Sequence, residues 1–245
     1  EQTIFESKDG LTWKRVGAVP ERYRRASGIG ARPTEVALAV VGRAEQDLIF
    51  VARNDAEFAL GYSSTRGRTW HHSPPQAAPT NPQMGTAHRV GAVLPKMVTM
   101  DDGRVLLSSG RQYSPDLPQT AGVHVWIGGG SNGTEWKNVD IIAAHNAKLP
   151  AGSPLRFSEG LVRNPQDARS CAGVLQHTNR SCALANGCET TSYTSLVRLP
   201  GDKEKYVILY DQLAQGWVGP PGDGRPGQLH DADTIFAMGF TVPPI

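Results

Sequence analysis

One turn-forming phrase, closed each time by a tryptophan, recurs along this chain and restricts its fold more than any other feature. It reads Ser7-Lys8-Asp9-Gly10-Leu11-Thr12-Trp13, then Ser63-Ser64-Thr65-Arg66-Gly67-Arg68-Thr69-Trp70, then Ser131-Asn132-Gly133-Thr134-Glu135-Trp136. Ser, Asp, Asn and Thr side chains bond nearby backbone groups, and Gly supplies backbone angles that other residues avoid. The indole is expected to anchor each turn in apolar surroundings. Each copy therefore predicts a hairpin, and a spacing of roughly 60 residues predicts a repeating sheet unit of the solenoid, propeller or array kind.

The intervening sequence supports that expectation, because it reads as strand after strand with almost nothing helical. Strands are predicted over 3–7 and 12–16 around the first turn, then over 35–41, 47–53 and 58–63 ahead of the second. The same order returns as 96–100, the turn Asp101-Asp102-Gly103, 104–109 and 123–127, and again as 193–199, the turn Pro200-Gly201-Asp202, 206–210 and 234–242. Three units of three or four antiparallel strands, preceded by the tail of another, are expected within a single domain spanning 1–245. If the first strand of each unit is innermost, Glu35, Lys96 and Tyr193 start at one central mouth. The stretch from about 143 to 190 has no clear periodicity and is expected to be an irregular insertion.

Composition agrees with a loop-rich β protein: the 245 residues include 27 Gly and 18 Pro. The net charge of +2, with its basic residues scattered, supplies no argument for nucleic acid. No apolar run approaches the ~18 residues of a membrane span, and Glu1-Gln2-Thr3 does not open a signal peptide. Cys171, Cys182 and Cys188 match no zinc spacing; one local disulfide, with a thiol left over or paired outside the chain, is one arrangement they allow. The triplets Asn132-Gly133-Thr134 and Asn179-Arg180-Ser181 suit glycosylation. Together these features favour an extracellular or secretory-lumen protein. No cofactor is expected: Gly128-Gly129-Gly130 lacks the Lys and helix of a phosphate loop. His71-His72 and His230-Asp231-Ala232-Asp233 fit surface loops better than a metal site, since adjacent strand residues point to opposite faces.

The repeated phrase resembles the Asp-box, S-x-D-x-G-x-T-W, of the sialidase (neuraminidase) superfamily and of other BNR-repeat propellers, including sortilin-like and photosystem-assembly propellers. The copies are degenerate: the first is one residue short, the second has Thr65 in the Asp position, and the third retains little beyond Gly, turn polars and Trp. In that family the box is structural and lies far from the active site. The order of units resembles the C-terminal half of a sialidase over roughly 3–140 and 190–242. The matching stretches are Thr34-Glu35 leading to Phe50-Val51-Ala52-Arg53, Asp102-Gly103-Arg104 leading to Gly110-Arg111, and Tyr193-Thr194-Ser195-Leu196 leading to Tyr210-Asp211. The resemblance implies a six-bladed, all-β propeller of which this chain covers about four blades.

It also implies an exo-sialidase acting on sialylated glycans or glycoproteins. Tyr193 would be the nucleophile on the anomeric carbon of sialic acid, an accepted exception to two-carboxylate glycosidases. Glu35 would be its base, because a phenol with a pKa near ~10 needs one. Arg53 and Arg111 would grip the sialate carboxylate through forked hydrogen bonds. The family's Arg-Ile-Pro arginine has no counterpart here, which implies missing N-terminal blades or a partner chain. Each residue also has a plain alternative: Tyr193 as a strand tyrosine, Glu35 as a solvated strand start, Arg53 as a charge closing an apolar run. Trp126 and Trp217 suit either sugar stacking or, for Trp126 above all, core packing. A non-catalytic propeller that binds glycan or protein, or a structural module of an extracellular assembly, fits the same boxes, because fold alone does not fix function.

Overall fold

A computed structural model describes residues 2–19, 34–42, 47–54, 57–72, 93–111, 122–129, 135–139, 141–153, 155–157, 193–202, 204–212 and 234–243. These are β-rich, as expected. The strands are β1 (Gln2–Ser7), β2 (Trp13–Val19), β3 (Val36–Val41), β4 (Asp47–Asn54), β5 (Glu57–Ser63), β6 (His71–His72), β7 (Val93–Thr99), β8 (Val105–Arg111), β9 (Gly122–Gly129), β10 (Glu135–Val139), β11 (Thr194–Arg198), β12 (Lys205–Gln212) and β13 (Thr234–Thr241). They form four antiparallel sheets in chain order: β1-β2, β3-β4-β5-β6, β7-β8-β9-β10 and β11-β12-β13. Each of the three larger sheets is a meander in which every strand pairs with the next.

The sheets pack face to face in the same order, which explains the apolar runs of their second strands. In β4, Ile49 and Val51 face the third sheet, packed with Leu107 and Trp126. Phe50 and Ala52 of the same strand face the first sheet, packed with Ile4 and Trp70. In β8, Val105 and Leu107 join the seam with the second sheet, whereas Leu106 joins Leu196, Tyr206, Ile208 and Tyr210 of the fourth. A strand buried on both faces has no polar side to alternate with, so it reads as a continuous hydrophobic stretch. Trp126 is fully buried at the seam between the second and third sheets, with Phe58 edge-on at 5.6 Å. Its role is core packing.

Two boxes show how degenerate copies hold the same turn. In the first, Asp9 Oδ1 accepts the N–H groups of Leu11 (2.8 Å) and Thr12 (2.7 Å), and Ser7 Oγ accepts that of Gly10 (2.8 Å). In the second, Ser63 Oγ accepts the Gly67 N–H at 2.8 Å, and Thr65 Oγ1 takes over the aspartate's task by accepting the Thr69 N–H at 2.9 Å. Gly10 and Gly67 occupy the same left-handed conformation, φ 76° and 80°. The extra residue of the longer copy, Arg66, is also left-handed, at φ 56°.

The tryptophans diverge. Trp70 donates Nε1–H to Gly67 O at 3.0 Å and meets Phe50 edge-on at 5.2 Å. Trp136 lies over Gly128, whose missing Cβ would come within 2.8 Å of the ring. Trp13, however, is 61% exposed, so the expectation that every indole anchors its turn in apolar surroundings fails there. Its strand belongs to a two-stranded sheet, and burying an indole takes a second layer that the described residues do not supply on that side.

The segment expected to be irregular from about 143 opens inside a helix, α1 (Ile141–Ala147). Ile141, Ile142 and His145 are its buried residues. With two turns at most, the helix is too short for its apolar face to register as a period. The cysteines, both sequons, Trp217 and His230 to Asp233 lie outside the described residues. No helix among the described residues is long and apolar enough to cross a membrane.

Candidate functional site

The three first strands run in one direction, and this is what gathers the candidate residues. Where β3 and β7 begin, Glu35 Oε2 accepts the Leu94 N–H at 2.6 Å; where they end, Thr99 Oγ1 donates to Val40 O at 2.8 Å and Gly42 N–H to Gly103 O at 3.0 Å. The next pair repeats the arrangement. At the beginning of β11, Thr194 Oγ1 donates to Ser108 Oγ at 3.0 Å, while at its end Arg198 bonds Asp101 through Nη2 and Oδ2 at 2.9 Å. β7 lies directly against both β3 and β11. The sheets thus share a leading end, where the first strands start, and a turn end, where they finish in short hairpins.

Glu35 and Arg53 meet at the leading end. Arg53 N–H donates to Glu35 O at 2.8 Å and Thr34 N–H to Arg53 O at 3.0 Å, which closes the β3–β4 ladder. Across that closure, Arg53 Nη1 donates to Glu35 Oε1 at 3.0 Å. Both side chains keep just over a quarter of their surface exposed, 29% for Glu35 and 28% for Arg53. With Leu94 on the other oxygen, the carboxylate is held between two sheets, its position fixed by three separate segments. Leu94 has φ 46°, uncommon for a branched residue, and the β7–β8 register shifts between Val93 and Lys96. This irregularity turns the Leu94 N–H toward Glu35 instead of into the ladder.

Tyr193 precedes β11 at the same end, 42% exposed, and its N–H reaches Asp211 Oδ2 at 3.5 Å. The structure therefore brings Glu35 and Arg53 into contact and sets Tyr193 at the leading end on a different sheet. Arg111 closes β8, paired through its backbone with Gly122 at the leading end; its side chain lies outside the described residues. Asp211 accepts the Tyr193 backbone N–H and so braces it.

Sequence reasoning missed the polar layer beneath these residues. Ser108, Ser109, His124 and Thr194 are all buried, and Ser109 and His124 are strand partners. In a strand pattern, small hydroxyls pass as neutral filler; their burial in pairs was visible only once the sheets were stacked. His145 was missed with its helix. Tyr210, hydrogen-bonded to it, has its hydroxyl pushed up to about 12 by burial. Among the described residues no cluster of His, Cys, Asp or Glu could hold a metal ion.

Two cavities lie at the turn end. One, of about 340 Å³, is lined by Arg104, Trp136, Lys137 and Pro243 among others; the second, about 230 Å³, by Asp101, Asp102, Glu204 and Tyr206 among others. Between them Arg104 is held in place: its Nε donates to Asp102 Oδ2 at 2.7 Å and its Nη2 to Pro243 O at 2.6 Å. Burial works against ionisation of Asp102, but the hydrogen bonds and charge of Arg104 outweigh it and hold the carboxyl below its ordinary range. The chain matches no protein-family model and no curated protein.

Proposed function

We propose that this chain forms part of a sialidase-type β-propeller that removes terminal sialic acids with retention, using Tyr193 as nucleophile. The observation that carries the reading is the shared leading end: the Glu35–Arg53 pair of the second sheet, bonded at 3.0 Å and tied to the third sheet through Leu94, and Tyr193 ahead of the fourth sheet at the same end. The stacked meanders serve as blades, the co-directional β3, β7 and β11 as their inner strands, and the boxes as the turns on the remote end. The six-bladed closure of that architecture belongs to the proposal.

In the first half-reaction the Tyr193 oxygen forms a bond to the anomeric carbon of a terminal sialoside. Its phenolic proton passes to Glu35, and the bond to the leaving glycosidic oxygen breaks as that oxygen takes a proton from a general acid. In the second, water adds to the anomeric carbon and gives a proton back to the general acid, while the tyrosyl–carbon bond breaks and the Tyr193 oxygen takes back the proton held by Glu35, returning free sialic acid and Tyr193. A neutral phenol approaches the anionic sugar without the repulsion a carboxylate meets, and Arg53 supplies positive charge for the sialate carboxylate. The general acid has no assigned residue in this chain.

A second reading, a non-catalytic Asp-box propeller that binds glycan or protein, is favoured by one detail. Both oxygens of Glu35 already accept hydrogen bonds, from Arg53 and from Leu94, an arrangement that suits a fixed structural anion as well as a base. Turnover of a fluorogenic sialoside by the complete protein separates the two. The enzyme reading predicts measurable release and a loss of at least about 100-fold in Tyr193→Phe; no release by wild type supports the binding module, and release at an unchanged rate in the variant removes Tyr193 as nucleophile.

A further inference from the structure

Among the described residues, one of the two buried histidines that the proposed reaction does not use lies beneath the strand pair that follows Tyr193. His145 is only 5% exposed. Its Nε2 lies 2.8 Å from the Leu155 carbonyl oxygen and its Nδ1 lies 2.7 Å from the Tyr210 hydroxyl. A carbonyl only accepts, so Nε2 carries the hydrogen; in a neutral ring Nδ1 is then a lone pair, and the Tyr210 hydroxyl donates to it. Phe236 from β13 and Phe157 wall the ring edge-on, with centroids at 4.5 and 4.9 Å.

The far end of this relay leads to the candidate site. Tyr210 is the strand partner of Thr194, and its neighbour Asp211 takes the Tyr193 N–H. Thr194 is held on its other side by Ser108. We infer that His145 is a positioning residue for Tyr193, acting through Tyr210 and the start of β11, so that the neutral imidazole fixes where the nucleophile stands. The structural half of this inference rests on the hydrogen-bond relay, and its functional half rests on the sialidase reading.

Packing alone does not account for the relay. A phenylalanine at 210 would fill the same core without a hydroxyl to satisfy, whereas the buried hydroxyl and imidazole must both be partnered. What the relay adds is direction: it ties 141–157 to the one strand pair that carries Tyr193 and Asp211. Among the described residues, the titratable and charged groups facing His145 are Tyr210 from β12 and Arg156 from the 155–157 segment; β13 contributes Phe236. Burial, reinforced by the charge of Arg156 and opposed by the Leu155 carbonyl, lowers the pKa of His145. Protonation would turn Nδ1 into a donor and leave the Tyr210 hydrogen without its acceptor. The working neutral form is therefore complete above the ordinary histidine pKa of ~6.5 and is lost as pH falls through the lowered value.

The test is a pH titration of the wild-type complete protein by NMR, read at the His145 ring nitrogens and at the amides of 193–196, alongside sialoside kinetics of Tyr210→Phe, His145→Ala and His145→Asn. The expected result is an Nε2–H tautomer at neutral pH and amide shifts at 193–196 that follow the His145 midpoint. In Tyr210→Phe and His145→Ala, kcat falls about 10-fold with KM within about two-fold, and His145→Asn, whose side-chain oxygen can accept from Tyr210, recovers most of it. Amides of 193–196 that ignore the His145 titration overturn the inference, as does an unchanged kcat in both relay-breaking variants. If wild type cleaves no sialoside, the sialidase reading falls, and the positioning of Tyr193 is then decided by the wild-type titration alone.

Discussion

The two ends of the sheet stack set their charges differently, although one inter-sheet ion pair, Arg198 with Asp101, also lies at the turn end. At the turn end, Asp102 pairs with Arg104 two residues away and Asp202 with Lys205 three residues away at 2.8 Å. These partners are dictated by hairpins, and any tight turn of the same shape would profit from them. At the leading end, Glu35 is joined to Arg53 and Leu94, and Thr194 to Ser108, across 18, 59 and 86 positions of chain. None of these bonds shapes a turn, and each spans strands or sheets. The Glu35 carboxylate is therefore held by strand and sheet contacts that no hairpin turn needs, which is what makes the leading end the candidate site.

The contrast is broken or sharpened first by a matched pair of isosteric changes. Glu35→Gln at the leading end is expected to lower sialoside kcat by at least about 100-fold, while Asp101→Asn at the turn end leaves it within about two-fold, both read by initial rates in the complete protein. Equal losses would remove the distinction between the ends.

Stability is expected to follow the seams and not the ends. Trp126→Ala empties a fully buried indole site between the second and third sheets and should cost about 3–5 kcal/mol in denaturant unfolding, whichever end carries the chemistry. A cost under about 1 kcal/mol would mean that the two sheets do not share the core described.

The smallest effect belongs to the first box, where the N–H groups of Thr12 and Leu11 and the Ser7 hydroxyl hold the exposed Asp9 carboxyl at about 2. A carboxyl lowered on folding stabilises above its ordinary value near ~3.9 and loses that contribution as pH falls through the folded value. The thermal midpoint of wild type should therefore exceed that of Asp9→Asn at pH 5 and converge on it near pH 2. A constant offset across that range would contradict the turn geometry.

Much of the fold was legible because the sheets are meanders with patterned strands. The runs ending at Val41, Arg53 and Ser63 correspond to β3, β4 and β5, and the Asp101-Asp102-Gly103 and Pro200-Gly201-Asp202 turns fall between paired strands. The two-residue β6 is too short to show alternation, and β10 begins with the polar and tryptophan residues of the third box, which read as a turn. Of the candidate site, the placing of Glu35 at a strand start and of Arg53 at the end of the next strand was legible, but Glu35 was expected to partner Tyr193 and its bond to Arg53 was not foreseen. Nor was the Leu94 bond, because it depends on a left-handed residue and a register shift that no local pattern announces. His145 stayed hidden for a different reason: its partners, Tyr210 and Leu155, come from segments that meet only in three dimensions.

The central claim is that the chemistry happens at Tyr193, and a covalent trap tests it most directly. The complete protein is incubated with a fluorinated sialyl donor whose glycosyl-enzyme hydrolyses slowly, then digested and sequenced by mass spectrometry. The account predicts one sialyl adduct on the peptide containing Tyr193, absent from Tyr193→Phe. Turnover of the donor with the label on any other residue, or the same label in Tyr193→Phe, would contradict it.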